Sequence, residues 1–293
     1  MKWSSVGRGA RYSPLRGLIE ATLSALYRGD WPARLWSCWP GACDVDVLRW
    51  TFAVLPPGSA PLRLGYASDL HVGPTTPPRL LANAAAKLAA EALDVLLLGG
   101  DYVFLEATPG KVDRVVEFVR TVAATTTLAV LGNHDLWTDH GMLERGLEAA
   151  GAVFIVNRSV RLPPPHAAVA VIGLDDPWTG APDADRAFAE TADAASRVVL
   201  CHSPDGVPLV RGRDASVYVC GHTHGGQVAL PWGPLYVPGP LGKQLPSGLH
   251  TVDGTPVLVS RGLGGIEIPV RTFAHPDVCI VTLVGRARSP EHA

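Results

Sequence analysis

Five places in the chain hold side chains that can grip a metal ion: Asp69 with His71, Asp101, Asn133 through Asp135, His202, and His222 with His224. Each sits at the end of a short apolar run: PLRLGYAS, DVLLLGG, LAVLG, RVVLC and ASVYVCG. A buried strand that stops at a polar residue delivers that residue to the loop at its carboxyl end. In α/β architectures ligands bind in the crevice outside those ends, so five separate strand ends aim at one crevice. The donors are nitrogen and oxygen with no thiolate, a set that suits Mn, Fe, Zn or Mg better than a structural zinc. Asp69, His71, Asp101, Asn133, His202, His222 and His224 make seven ligands, too many for one four-coordinate ion. Two ions sharing a carboxylate accommodate them, and Asp101, following two glycines, is the candidate bridge. Paired ions of this kind lie roughly 3.5–4 Å apart and clamp the attacking and leaving oxygens of a displacement.

Taken singly these motifs are weak. D-x-H reads as a loop pair, G-N-H-D as an Asx-turn, His202 as a turn residue, and G-H-T-H as a single-metal site or a satisfied histidine pair. Their joint occurrence at strand ends favours a metal centre. Gly99, Gly100, Gly132 and Gly221 would permit positive-φ turns that re-aim the side chains. His222 and His224, on an extended strand end, would project to one side so that each reaches one ion. His140, His166, His250, His275 and His292 lack strand-end placement and read as surface residues.

The elements that must position these groups follow from hydrophobic periodicity. DVDVLRWTFAVL alternates as a strand. PRLLANAAAKLAAEAL, VDRVVEFVRTVAA and MLERGLEAAG have helical spacing, and AVFIVN is a short strand. AVAVIGLDD, RVVLCHSP and ASVYVCGHTH are further strands, with a helix expected over Asp183 to Ala195, and TPVLVSRG and VCIVTLV close the series with only loops between them. Helices alternate with strands early and strands dominate late. This predicts a mixed α/β (α+β) fold with two sheets packed together and helices on the outer faces.

A formal net charge of −2 gives no global field for a polyanion, so nucleic acid is not the expected partner and an anionic substrate needs a local positive centre. Five scattered cysteines make no disulfide framework; Cys201 and Cys220 read as buried thiols, while Cys38 and Cys43 are near enough to pair or bind a metal without anything else supporting it. No apolar run is long enough to span a bilayer. No signal peptide is recognisable, so a cytoplasmic protein is expected. The first fifty residues hold five of the eight tryptophans, four of them (Trp3, Trp31, Trp36 and Trp39) within residues 1–43, which also carry a helical apolar stripe from Leu15 to Leu26. That Trp-rich segment reads either as an interfacial anchor, peripheral at the inner membrane, or as a helix packed on the main domain. Domain limits of 44–285, with a tail at 286–293, follow.

D-L-H at 69–71, G-G-D ending at Asp101, G-N-H-D at 132–135, His202 and G-H-T-H at 221–224, in this order, resemble the calcineurin-like metallophosphoesterases. The resemblance covers roughly residues 44 to 285 and implies a four-layer sandwich of two mixed sheets flanked by helices around a dinuclear centre. It implies that Asp69, His71 and His224 hold one ion and Asn133, His202 and His222 the other, with Asp101 bridging. Manganese is the first candidate metal. His134 would lie over the substrate and, as imidazolium, assist the leaving group, with Asp135 orienting it. Hydrolysis would proceed by in-line attack of a metal-bridging hydroxide on phosphorus. G-G-Q at 225–227, S-R-G-L-G at 260–264 and P-V-R at 269–271 are similar to a bacterial branch of phosphodiesterases and UDP-2,3-diacylglucosamine hydrolases, which makes a phosphodiester or pyrophosphate with a lipid-like or nucleotide-linked group the expected substrate. Arg261 and Arg271 are the candidate substrate-binding cations, or else structural salt-bridge partners. A non-catalytic metal-binding scaffold of the same fold, a nuclease and a protein phosphatase are the alternatives.

Overall fold

A computed structural model describes residues 5–287; Trp3, His292 and the end of the C-terminal tail lie outside them. The strands, in chain order, are β1 (Asp46–Leu55), β2 (Leu62–Ala67), β3 (Val95–Leu98), β4 (Thr126–Ala129), β5 (Ala152–Phe154), β6 (Arg158–Arg161), β7 (Val169–Gly173), β8 (Ser196–Leu200), β9 (Val217–Cys220), β10 (Ala229–Leu230), β11 (Gly233–Pro234), β12 (Gly248–Val252), β13 (Thr255–Val259) and β14 (Asp277–Gly285). One six-stranded sheet has the order β1-β14-β2-β3-β4-β5 and the other β12-β13-β9-β8-β7-β6. The first is parallel except where β14 meets β2; the second is parallel from β13 through β7 and closes at both edges with antiparallel strands.

Alternation along the strands divides the core into layers. Leu64 and Tyr66 of β2, Val95 and Leu97 of β3 and Leu128 of β4 meet Val171, Val198 and Val219 of the second sheet in a buried cluster between the sheets. The intervening residues Leu96, Leu98 and Ala129 face the helices instead. Those are α3 (Pro78–Ala89), α4 (Pro109–Val122) and α6 (His140–Glu148), following α1 (Pro14–Leu26) and α2 (Trp31–Ser37), with α5 (Asn133–Trp137) between α4 and α6. Helices α3 and α4 each open on a proline, whose fixed φ and missing N–H suit a first turn, and present buried stripes such as Leu81, Ala84, Ala85 and Leu88. The far face of the second sheet carries its own cluster, joined by Ala184 and Ala187 of α7 (Ala184–Phe188). The result is a helix–sheet–sheet–helix sandwich.

The expected helix over Asp183 to Ala195 is shorter than its pattern. Asp183 caps it by accepting from Arg186 N–H, but Thr191 donates both its hydroxyl and its N–H to the Phe188 carbonyl and ends the helix there. Strands β6 and β12 and the β10–β11 hairpin fall where loops were expected, being short or half-exposed and so lacking a continuous apolar run.

Residues 5–43 lie against the sandwich. Gly9 N–H donates to the Leu136 carbonyl, Ala10 N–H to Thr179, and Ala33 N–H to Pro74. Arg8 forms a bidentate pair with Asp175, and the Tyr27 hydroxyl donates to the Glu267 carbonyl at 2.8 Å. Glu20 and Gly17 form the buried face of α1, while Leu15, Leu18, Ile19 and Leu26 point outward. No helix among the described residues is long and apolar enough to cross a membrane.

Candidate metal centre

The loops after five strands meet at one end of the sandwich. β2 delivers Asp69 and His71, β3 Asp101, β4 Asn133 and His134, β8 His202, and β9 His222 and His224, all of them buried. Three overlapping groups result: Asp69, His71 and His224; Asp101, His202 and His222; and His71, Asp101 and His134. Within each, the donor atoms lie within 4.8 Å of one another. Asp101 Oδ2 is 3.5 Å from His71 Nε2 and 3.2 Å from His202 Nε2, so one oxygen faces both halves of the centre. Asn133 Oδ1 is 3.2 Å from His202 Nε2. Asp69 Oδ1 is 3.3 Å from His224 Nε2.

The donor chemistry fits a pair of cations. His71 Nε2 and His224 Nε2 are 3.1 Å apart, as are His202 Nε2 and His222 Nδ1. Two imidazole lone pairs at that distance repel unless a proton or a metal ion lies between them. His202 Nδ1–H donates to the Gly99 carbonyl at 2.8 Å, which leaves Nε2 free to ligate.

The electrostatics point the same way. Burial alone would raise the Asp101 and Asp69 carboxyls, but neighbouring imidazoles, His202 for Asp101 and His224 for Asp69, hold both well below the usual carboxylate range. Burial opposes charge on His202, yet Asp101 beside it lifts it well above the ordinary imidazole value. Burial pushes His71 and His222 down to about 3 and His134 well below its ordinary value. Anionic carboxylates facing the neutral rings of His71 and His222 are the protonation state that metal binding requires, and His202 would give up its Nε2 proton to an incoming ion.

The backbone here is held in an uncommon conformation. Asp69, His71, Asp101, His222 and His224 all have positive φ, between 42° and 71°. Each such residue costs on the order of 1–3 kcal/mol and persists only where its surroundings over-determine it. Of the glycines expected to supply the turns, only Gly100 has positive φ, at 89°. The others allow close approach: a Cβ on Gly132 would lie 2.2 Å from Asp101 Oδ1, and one on Gly221 2.3 Å from Asp69 Oδ2. His222 and His224 therefore sit on a tight turn, not on an extended strand end, and the turn sends one to each half of the centre. Gln227 continues that turn by bonding the backbone of Ile266 and Ile268.

Three sequence-derived roles change. Asp135 does not orient the His134 ring; its carboxylate accepts from the backbone N–H groups of Asp101, Tyr102 and Gly132 at 2.7–2.9 Å and ties two ligand loops together. Burial and the neighbouring Asp101 push its carboxyl up to about 8. Arg261 is consumed by Asp277 and Asp46 at 2.7 and 2.8 Å. Arg271 is half-buried among the carbonyls of Gly264, Arg261 and Ala274 and holds His224 Nδ1 at 2.9 Å. Neither guanidinium lines the cleft over the centre; both brace its walls. In the metal-free centre, burial favours the neutral His134 ring over the imidazolium.

That cleft has a volume of about 430 Å³. Trp137, Trp178, Leu235, Tyr236, Ile266 and Ile268 form much of its wall, and Arg16 of α1 reaches into it. Trp137 lies 5.3 Å from the His134 ring and Trp178 5.5 Å from His222, centroid to centroid. Sequence reasoning missed these aromatics and Arg16, which follow no strand-end pattern. It also passed over Asp176, which follows β7 by the same pattern, is buried near His202, and is pushed by burial up to about 6. Of the remaining histidines, His140, His166 and His250 are half-buried and His275 is exposed, all outside the three groups. All five cysteines are free thiols, with Cys201 and Cys220 buried.

Two buried donor sets at the strand ends of a two-sheet sandwich are the arrangement of a metallohydrolase. The chain belongs to the calcineurin-like phosphoesterase family, which it matches over residues 62–226, more than half its length. It is thus a metallophosphoesterase, a hydrolase of phosphoric ester bonds. It is 26% identical over 276 residues to the phosphodiesterase YaeI of Escherichia coli, covering 92% of this chain and 98% of YaeI. It is 25% identical to the UDP-2,3-diacylglucosamine pyrophosphatase LpxG of Chlamydia trachomatis, covering 83% of this chain and 89% of that protein. Among solved structures, a 5'-nucleotidase precursor from Thermus thermophilus aligns with a TM-score of 0.42 at 20% identity, over 68% of this chain and about half (48%) of the other.

Proposed function

We propose that this chain uses two divalent ions, manganese foremost, to hydrolyse a phosphodiester or pyrophosphate carrying a lipid-like or nucleotide-linked group. The observation that carries this reading is the sharing of Asp101 Oδ2 between two donor sets beneath a cleft with a largely apolar wall. Asp69, His71 and His224 would hold one ion, Asn133, His202 and His222 the other, and Asp101 both. Ions held there would supply positive charge that offsets the negative charge of the phosphoryl group, and would make an attacking water acidic enough to react near neutral pH.

The chain's own residues do the rest. Asp101 Oδ1 accepts from His134 N–H at 2.8 Å, which fixes that residue's place beside the bridging carboxylate. The Arg16 guanidinium lies 3.5 Å from His134 Nδ1, so that nitrogen faces a cation and the ring proton belongs on Nε2. A neutral imidazole can then donate a hydrogen bond from Nε2–H to the departing oxygen and stabilise the charge developing there. Apolar walls exclude water from the reacting groups and suit an amphipathic leaving group; LpxG, whose name specifies a diacylated sugar nucleotide, fits the same reading. The outward apolar residues of α1, with exposed Trp232, Tyr236 and Phe273 elsewhere on the surface, are consistent with peripheral contact with a membrane carrying such a substrate.

The test is hydrolysis of bis(p-nitrophenyl) phosphate by chelator-treated protein before and after Mn²⁺ is restored, alongside His134→Ala. Metal-restored activity that His134→Ala reduces about 10²-fold or more supports the reading. A folded protein that binds two ions yet hydrolyses neither this ester nor a diacylated nucleoside diphosphate sugar points to the non-catalytic scaffold.

A further inference from the structure

We infer that Arg16, on helix α1, is a substrate-binding residue: it takes the phosphate oxygens on the leaving-group side and favours leaving groups that are themselves anionic, as in a diphosphate. This rests on the phosphohydrolase reading above and deepens it. Arg16 is the single Lys or Arg among the side chains lining the cleft in the described residues. Its Nη2 lies 3.5 Å from His134 Nδ1, and its guanidinium sits 5.2 Å from the centroid of the Trp137 ring. Arg261 and Arg271, the two arginines the motifs suggest, have their forks filled by carboxylates and carbonyls. Arg16 is different. Nε is held by Glu20 at 3.1 Å and Nη1 by Glu267 at 2.8 Å, while among the described residues Nη2 has only the long contact to His134.

The geometry explains both its positioning and its availability. Tyr12 donates to Glu20 at 2.7 Å, so the buried carboxylate that grips Arg16 is itself fixed. Glu267 is more exposed, with 38% of its side chain accessible against 8% for Glu20. An incoming phosphate can therefore displace Glu267 while Glu20 keeps the guanidinium aimed. A phosphate accepts the guanidinium's paired N–H donors in the same way a carboxylate does. With the reacting phosphorus over the metal ligands and the departing oxygen at His134, a second phosphate would fall beside Arg16.

Two variants separate this role from a structural one, because both break the same ion pair. Binding of inorganic phosphate to the Mn²⁺-loaded full chain is measured by calorimetry, with thermal unfolding as a check on folding. Arg16→Ala is expected to weaken phosphate binding by about ten-fold or more, with Arg16→Lys recovering part of it. Glu267→Gln is expected to tighten binding, since it removes the competitor. If Arg16 merely latches α1 to the loop at 266–268, both variants weaken binding alike, and the inference fails. It fails equally if Arg16→Ala leaves binding unchanged while the wild type binds phosphate and hydrolyses esters. A wild type that neither binds phosphate nor hydrolyses any ester removes the hydrolase reading and this inference with it.

Discussion

Replacing Asp101 by Asn should separate the two halves of the centre. The perturbation removes one negative charge and leaves a side chain of the same shape. Oδ2 lies 3.5 Å from His71 Nε2 and 3.2 Å from His202 Nε2, one nitrogen from each donor set, while Oδ1 accepts from His134 N–H at 2.8 Å. A unit-charge attraction at about 4 Å is worth roughly 4 kcal/mol at an effective dielectric constant near 20. A dication facing the same carboxylate feels a larger attraction, so the loss is at least this for each ion sharing it. About 4 kcal/mol corresponds to roughly a thousand-fold in affinity. The assay is Mn²⁺ titration by calorimetry together with elemental analysis of the dialysed protein, and circular dichroism to establish that the variant is folded. Binding of at most one ion is expected, with hydrolysis of bis(p-nitrophenyl) phosphate lowered by about 10³-fold or more. Two ions bound with unchanged affinity and activity within ten-fold of wild type would refute the bridging role.

Three further outcomes follow from the geometry. Asp135→Asn keeps one acceptor for three backbone donors, so it should lower stability by about 2–3 kcal/mol and reduce metal affinity; a variant of wild-type stability in thermal unfolding would restore an orienting role for Asp135. Gly221→Ala would place a Cβ 2.2 Å from Ser68 Oγ and 2.3 Å from Asp69 Oδ2, so a cost of about 1–3 kcal/mol and weakened Mn²⁺ binding are expected from melting and titration. Asp176 has its folded-state value raised from 3.8 to about 6 by burial, so the folded state binds the proton more tightly. The stability this contributes is full below pH 3.8 and is lost as pH rises through about 6. That span is worth on the order of 3 kcal/mol, which Asp176→Asn should remove from the pH dependence of the metal-free protein; parallel profiles for variant and wild type would contradict it.

Much of the centre was readable from the chain because each ligand announces itself locally. An apolar run must end somewhere, and a buried strand that ends in Asp, Asn or His exposes that residue at the crevice where strand ends collect. The order of those endings was enough to identify the family. Sheet membership was less legible: β6, β12 and the β10–β11 hairpin are short or lie at an edge, and their residues are half-exposed, so no periodicity marks them. Helix α7 stops early because one threonine competes for a carbonyl, a choice its apolar pattern does not carry.

What tertiary structure alone decided is which charges are spent and which remain. Arg261 and Arg271 stand in conspicuous motifs, yet the fold brings Asp277, Asp46 and several carbonyls to them and neutralises both. Arg16 stands in no motif, and helix α1 carries it across the sequence to His134, Trp137 and Glu267. Asp135 follows a catalytic candidate directly, but three backbone N–H groups from two loops claim its carboxylate. The sequence by itself pointed to the candidate donor set, since metal affinity belongs to residue type and strand-end position. The partners of each charged group depend on segments far apart in the chain, and only their packing fixes which hydrogen bonds are made.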